Sequence, residues 1–361
     1  MTGERGFALV TVVLLMIGLA VLATGLLFAA SQQATVATTL VDLARARHGA
    51  EAAVAVALEE WRASARSLDP IGVSVAVVPE ASFQRGVRIS ASAHRIARGS
   101  FLVTGRAVVS RGGLPPLQRS AVRLVHSLDA DELGARLDAG LIGRRVSIGP
   151  TATITRGDSA AREPNGAALC ARWPSQAAAV RAPADSLSIA DVAALNGLAI
   201  FTDPEPLAVL EPLGTLAPAL RTGARAIGAD SVTPTPATLG LACDTALVTN
   251  WGAPDGPCGD LYVLRHATAG LTVDGGYGQG VLLVDGDVTL DGGVVFRGII
   301  VAQGSVTVRN ATVHGAIVAP GIAMQAGSLV TDRCAVADAL ALAPLLRAAH
   351  PPARSWLPTF E

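Results

Sequence analysis

The chain has 361 residues, half of them hydrophobic, with a formal net charge of −1 and a mean hydropathy of +0.46. Its 28 basic residues are all Arg, scattered and not interleaved with aromatics, so nothing in it supports nucleic-acid binding. Aromatics reach only 4% against 38 Gly, which points to a body of small and β-branched side chains and away from an aromatic-lined catalytic cleft.

Residues Phe7 to Ala30 form 24 consecutive uncharged positions. As an α-helix this run measures about 36 Å, enough to cross a hydrocarbon core of about 30 Å. A transmembrane segment over 7–30 is therefore expected. It exceeds the apolar core of about 7 to 15 residues of a secretory signal. Phe28-Ala29-Ala30-Ser31 nevertheless offers a small-residue cleavage site, and cutting there would leave a secreted structural protein starting near Ser31. Arg5 stands beside Glu4, so flanking charge says little about orientation. Beyond the span Val36, Leu40, Leu43, Ala50, Val54, Leu58 and Trp61 recur at helical spacing, with Asp42, Arg45, Arg47, Glu51, Glu59, Glu60 and Arg62 on the remainder. The helix is predicted to run to about residue 64, about 87 Å in all.

The string Arg5-Gly6-Phe7-Ala8-Leu9-Val10-Thr11-Val12-Val13-Leu14-Leu15 resembles the class III signal of type IV pilins and their relatives. The resemblance implies that a prepilin peptidase cuts between Gly6 and Phe7 on the cytoplasmic side, removing a leader at 1–6. Phe7 would then be N-methylated and the helix retained. Arg47-His48-Gly49-Ala50-Glu51-Ala52-Ala53 also resembles the second half of a PilX-type N-terminal helix. Major pilins typically carry Glu at the fifth mature position, where this chain has Thr11; the resemblance is thus to a minor component of the PilX kind. An ordinary signal anchor is the plain alternative.

From Val73 the period changes to that of strands. Segments 73–78, 87–93, 101–109 and 121–125 read as strands between Gly, Pro or polar turns, and several of them alternate apolar and polar residues. Connections this short predict an antiparallel β module over 70–128, one face covered by the helix, in a pilin-like α+β arrangement. His94 and His126 have no Cys or carboxylate at ligand spacing and read as structural.

Residues 135–158 have the texture of β-helix strands. The stretch 159–242 is rich in Ala, Pro and Leu, with a short helix expected from Ile189 to Leu198 capped by Ser188, and reads as an insertion or cap. Three segments then superpose on Gly280, Gly298 and Gly315 and again on Gly286, Gly304 and Gly321, at offsets of 18 and 17. Short β-branched runs between Gly corners predict a coiled sheet with about three sides per turn over 243–334. Residues 335–361 would supply a C-terminal tail or cap. This region resembles the short β-helical part attached to some PilX-like proteins and, distantly, the bactofilin repeat; a β-sandwich is the alternative.

Asp274, Asp285, Asp287 and Asp291 invite a carboxylate-pair or calcium reading, but all stand beside Gly as turn formers do. No Walker motif, nucleophile elbow or metal-ligand cluster is present in the sequence, so no catalytic residue, cofactor or metal is assigned. Cys170, Cys243, Cys258 and Cys334 all follow the span, and an even count outside the cytoplasm suggests two disulfides. Of three pairings, the turn-rich loop favours Cys243 with Cys258, which leaves Cys170 with Cys334. Zinc is the alternative, without a CxxC to support it.

The expected fold is α+β: a long N-terminal transmembrane helix, an antiparallel pilin-like sheet, then a short β-helix-like, bactofilin-like repeat region. The expected function is a non-enzymatic minor pilin-like or pseudopilin-like component of a type IV pilus or related secretion machinery. It would sit in the inner membrane, with its body in the periplasm or on a filament. The partners implied are the membrane, other pilin or pseudopilin subunits and the prepilin peptidase. An envelope carbohydrate-binding or carbohydrate-active β-helix protein is the alternative, and it predicts a groove of Asp and Arg that depends on Asp285 or Asp287.

Overall fold

The computed structural model of the chain describes residues 5–66, 69–97, 99–112, 114–157, 164–173, 178–213, 220–221, 224–254, 256–343, 346, 348–351 and 356–357. It opens with helix α1 (Arg5–Glu59), 55 residues and so about 82 Å long. From Val10 to Thr38 every side chain is exposed. The hydroxyls of Thr24, Ser31, Thr35, Thr38 and Thr39 donate to carbonyls three or four residues back, which satisfies them without solvent.

The second half of α1 lies on an antiparallel sheet of β1 (Ser74–Gln84), β2 (Val87–Ala97), β3 (Ser100–Arg111) and β4 (Leu114–Ser127), ordered as in the chain. Ala50, Val54 and Trp61 of the stripe that periodicity suggests are buried, but its N-terminal members are not. Val36 and Leu40 are more than half exposed, while Asp42, Ala46, Gly49, Ala50, Ala53, Val54 and Ala57 face the sheet. Small residues permit a closer approach than large ones: a Cβ on Gly105 would strike the Ala50 carbonyl. The helix also stops at Glu59, short of 64. A break follows in which Trp61 is buried edge-on against Phe101, with centroids 5.1 Å apart, and helix resumes as α2 (Ala63–Arg66). His94 and His126 are cross-strand partners of Ser74 and Ser100, each Nδ1 at 3.1 Å from the serine Oγ.

After α3 (Ala130–Arg136) the chain enters a 15-stranded curled sheet paired in parallel throughout, as a coil requires and an antiparallel sandwich does not. One side carries Val263–Ala267, then the ends of Tyr277–Val284, Val294–Ala302 and Ala311–Val318, then Ala139–Ile142, Ala178–Ala182 and Ala199–Thr202. The second carries Ser231–Val232, Leu271–Asp274, Val288–Asp291, Ser305–Val308, the start of Gly321–Asp332, the start of Arg145–Gly157, and Leu187–Ile189. The remaining halves of the long strands form the third.

Gly280, Gly298 and Gly315 lie in register at one corner, with φ of +120°, +135° and +131°. A Cβ at any of them would meet the carbonyl oxygen of the residue stacked on it, so the 18- and 17-residue offsets are the rung lengths of the coil. Val288, Leu290, Phe296, Ile300, Val306, Val308 and Leu329 fill its interior.

The order of rungs is permuted relative to the chain. Strands from 139 to 202 start in the middle and wind to one end. The chain then crosses to the far end, re-enters at Arg225–Ile227 and winds back until Gly321–Asp332 pairs with Arg145–Gly157. Part of the stretch 159–242 therefore contributes rungs instead of forming one insertion. The helix expected at 189–198 is strand to Ile189 and then a 3₁₀ turn, Val192–Leu195, capped by Asp191. These rungs lack the Gly corners, which hid them in the sequence.

Helix α4 (Pro164–Arg172) follows the 145–157 strand and α5 (Arg333–Leu342) follows the 321–332 strand. Helix α5 covers a flank of the coil and does not cap its end. The tail returns to the first sheet, where 349–350 and 356–357 pair with β4 and shield its edge.

Candidate functional site

Two surfaces stand out: the bare half of α1 and a cleft on the coil. Helix α1 is long and apolar enough to cross a membrane, and its most apolar stretch is left unburied by the described residues. Gly6 and Phe7 fall in its first turn, where only the backbone is described; residues 1–4 lie outside the described residues. Where α1 meets the sheet, Asp42 Oδ2 accepts from Arg111 Nε at 3.0 Å, and Arg111 Nη2 donates to Thr39 Oγ1 at 3.2 Å.

The cleft exists because of the permutation. The described parts of the segment that carries the chain back across the coil, the 3₁₀ run Pro206–Leu213 and residues 220–221, lie over the first side, with a cavity of about 430 Å³ beneath them. Leu207, Leu210 and Leu220 from the crossing segment oppose Leu283 and Val301 of the coil. Arg144, Arg221, Asp285 and Gln303 line the same cavity. Asp285 is held in place: its Oδ2 lies 2.9 Å from His266 Nε2 and its Oδ1 3.6 Å from Arg221 Nε.

The other three aspartates stand at coil corners. Asp287 accepts from the Ser305 amide at 2.6 Å and Asp291 from the Gly292 amide at 2.8 Å, while Asp274 stacks in register with Asp291. Only Asp285 thus lines this cleft, and its pairing with Arg221 and His266 joins groups 64 and 19 positions away, a relation no local motif announces. Among the described residues no group of three or more His, Cys, Asp or Glu is placed to hold a metal ion.

Under α5 lies a buried charge network. Asp332 caps α5 through the amides of Cys334 and Ala335, and its other oxygen is 3.6 Å from Arg297. Tyr262 donates to Asp338 at 3.3 Å, and Arg297 reaches Asp338 at 3.4 Å. Burial disfavours the Arg297 charge, but Tyr262, Asp332 and Asp338 outweigh it and raise the guanidinium pKa. At the far end of the coil, burial and then Arg225 bring the Arg265 guanidinium down to about 10. Its Nη2 donates to the Asn250 carbonyl at 2.9 Å, tying in the loop that plugs the coil with the fully buried Trp251.

Cys243 is bonded to Cys258 and Cys170 to Cys334. The first pair braces the plugging loop, with Asn250 packed between its sulfurs and the Ala237 carbonyl.

Against known proteins the chain matches no family model, no curated protein and no solved structure. Its own geometry presents an exposed apolar rod, a disulfide-braced body and a leucine-lined cleft.

Proposed function

We propose that the chain is a minor pilin-like or pseudopilin-like structural subunit, held in the inner membrane by the first half of α1 and displaying its body outside the cytoplasm. The observation that supports this is the division of one continuous helix. Its first half is apolar and, from Val10 onward, exposed, while its second half packs on an antiparallel sheet largely through small residues. An apolar surface of this length is stable only in lipid or against other apolar helices. Transfer from membrane to filament exchanges one for the other without unfolding the body. The disulfides suit an oxidising compartment. Thr11 in place of a carboxylate fits a component that joins a filament without forming its bulk.

Mass spectrometry of the N-terminal peptide of the membrane-extracted mature chain tests the reading. A peptide starting at N-methylated Phe7 is the expected result. A start near Ser31 with the body recovered in solution would overturn it, and an uncut Met1 would reduce it to a signal anchor.

A further inference from the structure

The cleft beneath the crossing segment does not end at its floor. A second, smaller cavity of about 20 Å³ adjoins it, sharing Leu210, Leu220, Leu283 and Val301 as walls. This inner space, room for about one water-sized probe, lies between the coil and α3 and α5, bounded by Leu133, Leu137, Leu264, Ile299 and Leu340. Its described lining is entirely aliphatic. Polarity is confined to the outer cavity, where Arg144 and Gln303 are exposed and Arg221 is about half exposed. The carboxylate there, Asp285, is already satisfied by His266 and Arg221. With two guanidiniums against one carboxylate the outer cavity keeps a net positive charge, and Arg144 makes no ion pair among the described residues.

A site with a cationic rim and aliphatic inner walls matches an amphiphile with the opposite distribution. Sugars prefer polar walls and aromatic platforms, while a flexible chain of methylenes gains from leaving water for a leucine-lined space. A volume of about 430 Å³ lies within the range of small-molecule sites, roughly 300–1,000 Å³. We infer that the cleft binds a single-chain anionic amphiphile, with the acyl chain running inward along Leu210, Leu283 and Val301 and the anionic head at Arg144 and Arg221. A fatty-acid carboxylate and the phosphate of a lysophospholipid share this chemistry.

Photo-crosslinking of the full chain in lipid nanodiscs separates the cleft from the membrane-facing rod. Two probes are used, a diazirine-bearing palmitate and a diazirine-bearing lysophosphatidylglycerol, with adducts mapped by tandem mass spectrometry. Expected are adducts at 207–213, 220–221 and 281–301 for one or both probes, the responding probe identifying the head group. Arg144→Glu, and Arg144→Glu with Arg221→Glu, should lower these adducts by about tenfold, the effect of a lost charge-assisted contact, and leave α1 labelling unchanged. Val301→Trp should block them sterically. Adducts confined to α1, or cleft adducts indifferent to both charge reversal and Val301→Trp, would overturn the inference. The result is independent of where the N-terminus is processed.

Discussion

Cys170 is bonded to Cys334 beside a pair of stacked rungs, 321–332 on 145–157, that do not follow one another in the chain. Cys334 stands two residues after the 321–332 strand and Cys170 lies in the helix that follows the 145–157 strand, and these two strands pair side by side. The bond therefore closes a seam that hydrogen bonding and packing otherwise hold alone.

Loss of this crosslink should weaken the fold more than loss of the other. Cys170 and Cys334 are 164 positions apart and Cys243 and Cys258 only 15. Loop entropy puts the two near 5 and 3 kcal/mol. In urea titrations the Cys170→Ser, Cys334→Ser variant should show the larger drop in midpoint, and hydrogen exchange should quicken first along 139–157 and 321–332. Equal drops would mean that the seam is held by packing alone.

The glycine corner should be intolerant of any side chain. Gly298 combines φ of +135° with a Cβ path into the Gly280 carbonyl, so Gly298→Ala is expected to cost about 2–4 kcal/mol. Gly228, which has open space around it, should accept Ala with little change. Thermal melts of the two variants side by side make the comparison.

Acid should loosen the flank under α5. Burial pushes the His314 imidazole below its ordinary 6.5; Asp332 opposes this and Arg297 adds to it. Between the folded value and 6.5 the unfolded chain binds more protons, so stability rises with pH in that window and is lost as pH falls through it. Asp69, Asp129 and Asp138 are raised, chiefly by burial, and act with the opposite sign, losing stability as pH rises through their folded values. The difference between wild type and His314→Gln isolates the histidine: the variant should lose less stability on going from pH 7 to 5. Parallel Tm profiles would refute this.

Removing Arg111 should free the root of the rod. Asp42 would remain buried with only the exposed Arg45, 3.8 Å away, beside it. Arg111→Ala is expected to destabilise by about 1–3 kcal/mol and to speed amide exchange around residues 39–50. The pair Asp42→Leu, Arg111→Leu should recover most of the loss. If it does not, the contact is worth more than the burial of its charges.

The elements with a strict local period were legible from the residues alone. An uncharged run of 24 residues dictates a helix able to span a membrane, alternation between Gly and Pro turns dictates the four-stranded sheet, and glycines 18 and 17 apart dictate the rungs. Each follows from neighbours close in sequence, where spacing and steric limits act directly. Long-range order had no such signal. That the 139–157 rung follows the 315–332 rung, that Asp42 and a row of alanines rather than Leu40 face the sheet, and that Asp285 meets Arg221 over a leucine floor were settled only by which surfaces fit together in space. Parallel pairing needs only an open edge of matching register. The edge that Gly321–Asp332 found belongs to a strand laid down more than 160 residues earlier, a choice made by packing and then held by a disulfide.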